Sequence, residues 1–428
     1  MKRHETLPLV PIARGEGMWL TDFDGKRYLD GVSSWWVNLF GHGHPAIKAA
    51  IKDQLDTLEH VMLAGFTHAP VVELSERLAG LTGLGHAFYG SDGASATEIA
   101  LKMSFHYWKN LGQPQKCRFV SLENSYHGET VGALAVTDVP LFSATYAPLI
   151  QAGIRVPTPD ARQGAPDESA EAVAIRAAQS LENVLAKQGG CIAALILEPL
   201  VQGAAGMAMY HPEYLRRARA ACDRYQVHLI ADEIAVGFGR TGTMFAYQQA
   251  EIRPDFLCLS KGITGGFLPL SCVLTTDTVY DAFYHDDVAR GFLHSHSYTG
   301  NALACRAALA VLDLFEQENV LERNREKAEQ FNARLTSLKA HPAVENFRQC
   351  GMIWAFEVKT RRSDFSQAFF SAMLEQSCLT RPIGNTVYFM PPYVIEPAHM
   401  EQLVGATLAT LGRLDLLETQ AGPNIALP

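Results

Sequence analysis

Leu229-Ile230-Ala231-Asp232-Glu233-Ile234 is followed by Phe256-Leu257-Cys258-Leu259-Ser260-Lys261-Gly262, so that Lys261 lies 29 positions beyond Asp232. Each stretch is an apolar run that ends near an ionisable residue. Leu229 and Ile230 read as the end of a buried strand, which puts Asp232 at the carboxyl end, where open α/β sheets bind their ligands. Phe256 to Leu259 reads as a second strand, delivering Lys261 to the same edge. An acid and an amine so placed suit an aromatic cofactor that has a pyridine nitrogen and an aldehyde. Pyridoxal phosphate needs both groups, an aspartate beside the protonated ring nitrogen and a lysine to form the Schiff base. Either residue alone is as well explained by a solvated loop.

The surrounding pattern supports a sheet. Arg118-Phe119-Val120-Ser121-Leu122, Ile192-Ala193-Ala194-Leu195-Ile196-Leu197 and Val227-His228-Leu229-Ile230 are near-continuous apolar runs separated by helical periodicity. That is the signature of a mostly parallel sheet covered on both faces, an α/β fold. Upstream, the segment from Gly17 to Asp30 reads as a β-hairpin turning at Asp24-Gly25. From about residue 46, Ile47, Ile51, Leu55 and Leu58 recur at helical spacing. The Pro- and Gly-rich stretch from Pro157 to about Ala170 predicts a surface loop. Pro212-Glu213 opens a helix running to about Tyr225. A helix from Asn301 to Glu318 precedes a change of rhythm after about residue 310. There a charged helix begins near Leu321, and Gly351 to Val358 alternates like a half-buried strand. The tail from Gln420 to Pro428 reads as frayed.

Bulk properties narrow the classes. At 428 residues the chain exceeds the size of one core, so two or three domains are expected. Hydrophobic content of 48% against 19% charged residues fits a folded chain with a large core, and a formal charge of -9 argues against a general nucleic-acid surface. None of the eight cysteines forms a C-x-x-C pair, and no Cys/His cluster has zinc spacing, so no metal is expected. The N-terminal residues lack a signal-peptide core, and no apolar run reaches the roughly 18 residues of a membrane span. A cytoplasmic setting is the expectation.

Further candidates converge on the same edge. Gly90-Ser91-Asp92-Gly93-Ala94-Ser95 is a small-residue turn feeding a helix, and its free N–H groups suit a phosphate, as they would also suit an ordinary cap. In Asn124-Ser125-Tyr126-His127-Gly128-Glu129, after a strand, Tyr126 and His127 are both candidates to lie over a ring. Glu198 ends the Leu195 to Leu197 run on the same edge as Asp232. A carboxylate beside the pyridine nitrogen keeps it protonated, so that the ring accepts electron density. A lysine freed from the cofactor can carry a proton between two carbons. An aminotransferase uses both, as does a decarboxylase or racemase of the same chemistry.

Asp232-Glu233-Ile234 with Gly237-Phe238-Gly239-Arg240-Thr241-Gly242, Glu198-Pro199, and Ser260-Lys261-Gly262 with Gly265-Gly266 together resemble the class III, fold-type I pyridoxal-phosphate aminotransferases through nearly the whole chain. The resemblance implies a large domain over 46–309, with a smaller α+β domain built from 1–45 and 310–428. It implies Lys261 as the Schiff-base lysine, Asp232 as partner of the ring nitrogen, Tyr126 stacked near the ring and Glu198 shaping the site. Gly93 and Ala94 would give N–H groups to the phosphate. Ser297 would reach the phosphate of the neighbouring subunit's cofactor, which implies a homodimer with shared active sites.

Ser33-Ser34-Trp35-Trp36, Tyr126 to Glu129, Arg381-Pro382 and Tyr388 to Tyr393 are similar to the branch of the class that uses S-adenosylmethionine to aminate 8-amino-7-oxononanoate in biotin synthesis, by a ping-pong reaction. On that likeness Trp35 and Tyr388 would wall the substrate pocket, Arg381 would pair with the oxo-acid carboxylate, and Glu129 would hold a ligand amine. Adjacent residues of extended chain face opposite ways, so one of Trp35 and Trp36 is expected to touch ligand. Arg240 is read either as a substrate contact or as a brace for the loop after Asp232. Two departures stand out. No Trp-His-Pro segment, usual in the branch, precedes Leu7-Pro8-Leu9, and Ala94 stands where a hydroxyl residue is common, leaving Ser95 to compensate. The competing expectation is another class III ω-aminotransferase, acting on ω-amino acids, diamines or amines with pyruvate or 2-oxoglutarate.

Overall fold

A computed structural model of the chain describes Glu5, Leu7, residues 9–414 and Leu416; the tail from Gln420 to Pro428 lies outside the described residues. The chain divides into two compact units. The larger takes Ala49–Phe238 and Thr243–Asp313, and the smaller takes the chain through Lys48, Gly239–Gly242 and the chain from Leu314.

The larger unit is built on a seven-stranded sheet. Its strands are β1 (His86–Gly90), β2 (Arg118–Leu122), β3 (Ile154–Val156), β4 (Ile192–Leu197), β5 (His228–Asp232), β6 (Phe256–Leu259) and β7 (Ser271–Thr275). The spatial order is β1-β7-β6-β5-β4-β2-β3. Neighbours from β6 through β3 are parallel, and β7 runs antiparallel to both β6 and β1. Every residue of β4, β5, β6 and β7 is buried, as expected of strands covered on both faces.

The covering helices carry the local signals that form them. The helix Ala170–Gln188 starts at Ser169, whose hydroxyl accepts from the Ala172 N–H, and buries Val173, Ala177, Leu181 and Leu185 at helical spacing. Each such leucine withdrawn from water contributes roughly 1.5–3 kcal/mol. The helix Glu213–Tyr225 follows Pro212 as read from the sequence. The stretch after Pro157 is irregular but not all at the surface. Thr158 and Asp160 are buried, because the Thr158 hydroxyl donates to Gln202 Oε1 and Asp160 grips Arg162.

The smaller unit holds a four-stranded sheet, Ile12–Glu16, Trp19–Asp22, Arg27–Asp30 and Cys378–Leu379, and a three-stranded sheet of Val344–Cys350, Ile353–Val358 and Thr386–Phe389. The hairpin turns where expected, with Gly25 at φ 86°, and Asp22 Oδ1 accepts from the N–H groups of Asp24 and Lys26. Ile353–Val358 departs from its half-buried reading. All six residues are buried, because this strand is the middle one of its sheet. Gly351, ahead of it, has φ 55°, and a Cβ there would meet the Thr241 carbonyl carbon at 2.4 Å. Only glycine fits so close a backbone crossing. Among the described residues, no helix is long and apolar enough to cross a membrane.

Candidate active site

In the larger unit, Asp232 ends β5 and pairs in register with Cys258 of the parallel β6, three residues before Lys261. The Asp232 side chain is buried and has two partners. Its Oδ1 accepts from the Ile234 N–H at 3.1 Å, and His127 Nδ1 lies 2.6 Å from Oδ2. A carboxylate only accepts, so His127 carries its proton on Nδ1. His127 is therefore buried against the acid and spends its Nδ1–H there. The residue pattern alone leaves Tyr126 and His127 both open as stacking candidates and the resemblance selects Tyr126; the support that His127 gives Asp232 has no local sequence signal.

Tyr126 is fixed at two points. Its N–H donates to Glu198 Oε1 at 3.1 Å and its hydroxyl donates to Glu129 Oε1 at 2.8 Å. Burial first, and then the Glu129 carboxylate, push the phenol's pKa well up, so it stays protonated. Glu198 also accepts from the Gly203 N–H at 2.9 Å. Burial pushes its carboxyl up to about 7; His127 pulls it down, and the Asp232 charge adds to the rise. Glu129 is exposed and spends one oxygen on Tyr126.

Lys261 sits at φ 44°, a left-handed conformation costly for a residue with a side chain and typical of functional positions. Burial lowers the pKa of its amine against the opposing pull of Asp232 and Glu198. A lowered amine pKa raises the fraction of free base, the nucleophilic form.

Beside this cluster the helix Gly93–Asn110 begins. Asp92 caps it, Oδ1 accepting from the Ser95 N–H at 2.8 Å, and the Ala96 N–H reaches the Asp92 carbonyl. The cap thus occupies Ser95's N–H, while among the described residues those of Gly93 and Ala94 have no hydrogen-bond partner. Two unspent N–H groups at the positive end of an 18-residue helix suit a phosphate. Gly128 closes against this turn at φ 118°, and a Cβ there would meet that of Ala94 at 2.8 Å. Ser297 is exposed, with its carbonyl accepting from His60 Nε2 at 2.8 Å, while its neighbour His296 bonds Ser91 of the turn.

The remaining candidates belong to the smaller unit. Trp36 is buried and donates its Nε1–H to the Tyr388 hydroxyl at 3.0 Å, whereas Trp35 is 47% exposed and carries the Arg381 guanidinium over its ring at 4.6 Å. The two tryptophans do face differently, but not through extended chain. Ser33, Ser34 and Trp36 all have positive φ, in a tight turn. Arg240 is 1% exposed and acts as a brace. Nη1 donates to the Pro391 carbonyl at 2.7 Å, Nη2 to that of Trp36 at 3.4 Å, and the guanidinium lies over the Tyr393 ring.

A buried acid with its own imidazole, a lysine two residues past the end of the next strand, and a helix N-terminus with spare N–H groups suit a pyridoxal-phosphate enzyme. A sequence profile described as Aminotransferase class-III matches residues 1–411, and the chain belongs to that family. Within it, the chain is 46% identical over 422 residues to the adenosylmethionine-8-amino-7-oxononanoate aminotransferase of Helicobacter pylori, covering 97% of this chain and 94% of that one. The crystal structure of the adenosylmethionine-8-amino-7-oxononanoate aminotransferase from Methanocaldococcus jannaschii matches with a TM-score of 0.89 at 35% identity, over 97% of this chain and 95% of that one. An amine transaminase from an uncultivated Pseudomonas species, in its PLP-bound form, gives 0.90 at 33% identity over 95% of each. The architecture is that of the fold-type I pyridoxal-phosphate transferases.

Proposed function

We propose that this chain transfers the amino group of S-adenosylmethionine to 8-amino-7-oxononanoate, forming 7,8-diaminononanoate in biotin synthesis, by a ping-pong reaction through pyridoxal phosphate and its amine form. The observation that carries the choice of substrates is the 46% identity over nearly the full length of a relative bearing that name. The residues of the larger unit fit the cofactor: Asp232 for the ring nitrogen, Gly93 and Ala94 for the phosphate, Lys261 for the aldehyde. Pyridoxal phosphate, when bound, supplies an aldehyde that exchanges between amines and a ring that takes up electron density from the substrate carbon.

The chain's own groups do the rest. Lys261, buried and with its amine pKa lowered, would hold the cofactor through its aldehyde and, as a free amine, would serve as the base and acid that moves a proton at the substrate carbon. Asp232, held by His127, keeps a negative charge at the ring nitrogen. Tyr126 would stack near the ring, its hydroxyl held by Glu129. Glu198 holds the Tyr126 backbone in place. In the smaller unit, Trp35 and Tyr388 would wall a substrate pocket and Arg381 would take the carboxylate of the oxo-acid. In the larger unit, Glu129 would hold a ligand amine with the oxygen that Tyr126 leaves unused. Ser297 serves the phosphate of a partner subunit, so the working form is a cytoplasmic homodimer.

The test is a pair of half-reactions on the cofactor-loaded protein. S-adenosylmethionine should bleach the near-visible cofactor band rapidly, and 8-amino-7-oxononanoate should restore it. Bleaching by ω-amino acids alone would transfer the reading to a class III ω-aminotransferase.

A further inference from the structure

Asp30 is a fully buried carboxylate at the end of the strand Arg27–Asp30, in the smaller unit. Its Oδ2 accepts from the Ser34 N–H at 2.7 Å, from the Ser34 hydroxyl at 3.2 Å and from His42 Nε2 at 2.9 Å; its Oδ1 accepts from the Val32 N–H at 3.1 Å. Asn38 closes the ring of side chains, its amide lying 3.2 Å from both the Ser34 hydroxyl and His42 Nδ1. One neutral histidine tautomer satisfies every member, with Nε2–H donating to Asp30 and Nδ1 accepting from Asn38.

The segment so gripped is strained. Ser33 has φ 51°, Ser34 has φ 59° with ψ -80°, and Trp36 has φ 68°. None is glycine, and such conformations persist only where the surroundings over-determine them. Two further contacts set the segment's depth: the Ser33 hydroxyl donates to the Met390 carbonyl, and the Gly31 N–H to that of Leu379, two residues before Arg381. The turn carries Trp35, beneath Arg381, and Trp36, against Tyr388.

We propose that Asp30 is a positioning residue for substrate recognition, its carboxylate holding the strained Ser33–Trp36 turn so that Trp35 and Arg381 present one fixed surface to the oxo-acid. This rests on the reading of Trp35, Arg381 and Tyr388 as substrate-binding residues. Asp30→Asn keeps the shape of the side chain but has one acceptor oxygen, so it cannot serve both the Val32 and the Ser34 side of the turn.

The test compares the cofactor-loaded wild type with Asp30→Asn, His42→Gln and Arg381→Ala. Asp30→Asn should raise KM for 8-amino-7-oxononanoate on the order of tenfold or more with kcat changed less than about threefold, the pattern of lost uniform binding. Amide exchange in a peptide spanning residues 31–37 should quicken by a similar factor, while that in Val344–Cys350 stays unchanged. His42→Gln should move both readouts the same way by less, and it decides the matter if Asp30→Asn does not fold. A role in folding alone would lower the active fraction at unchanged KM, which would overturn the proposal. Arg381→Ala separates the two readings. A raised KM there with Asp30→Asn at the wild-type value sinks the Asp30 proposal alone. An unchanged KM in Arg381→Ala sinks the substrate reading, and the proposal with it.

Discussion

His127 Nδ1 lies 2.6 Å from Asp232 Oδ2, and both side chains are buried. The acid at the end of β5 thus comes with an internal partner that orients it and shares its charge. His127→Leu would leave that carboxylate without its partner. We expect a loss of stability on the order of 3 kcal/mol in denaturant titration. With it we expect a fall of about tenfold or more in the rate of the first half-reaction, because the carboxylate would lose the hydrogen bond that fixes its orientation at the strand end. Unchanged stability and rate in the variant would remove His127 from the site.

Glu233 follows Asp232 but points elsewhere, accepting from the N–H groups of Ala246 and Tyr247, each at 2.8 Å. Burial pushes its carboxyl from 4.5 up to about 8. Between those values the folded chain binds more protons than the unfolded one, so this contribution is fully present below 4.5 and is lost as pH rises through 8. The stability difference between wild type and Glu233→Gln should shrink over that window by at most about 5 kcal/mol. Calorimetry at several pH values measures it.

His228 gives the opposite slope. It is buried among Tyr107, Trp108 and Phe256, bonded to the Ser104 hydroxyl, and burial lowers its pKa from 6.5 to about 4. Here the unfolded chain binds more protons between those values. The contribution is present above 6.5 and is lost as pH falls toward 4, by at most about 3 kcal/mol. Wild type minus His228→Gln should follow that curve in thermal unfolding.

Arg240→Lys would keep a charge in the core of the smaller unit while losing the planar fork that serves the carbonyls of Pro391 and Trp36 together. We expect a stability loss of about 3 kcal/mol. A change below about 0.5 kcal/mol would show that the brace is unimportant.

The part of the site on strand ends was legible because two facts coincide there. A run such as Ile192–Leu197 is recognisable as a doubly covered strand from composition alone, and its next polar residue must fall at the sheet edge. Asp232, Glu198 and Lys261 were placed that way. Ile353–Val358 misled because alternation in sequence predicts one wet face, while its burial depends on neighbouring strands far away in the chain. The Ser33–Trp36 turn was illegible for a different reason: serine and tryptophan have no preference for positive φ, and the force that imposes it comes from Asp30 and His42. Arg240 and His127 were undecided because a buried ionisable group is defined by its partners, which local pattern does not name.

The proposed reaction depends most on Lys261 bonding the cofactor. Borohydride reduction of the protein loaded with pyridoxal phosphate, followed by peptide mass spectrometry, tests that bond directly. One phosphopyridoxyl group per chain on the peptide containing Lys261 is the predicted result. A label on any other lysine, or none on a protein that still transaminates, would contradict it.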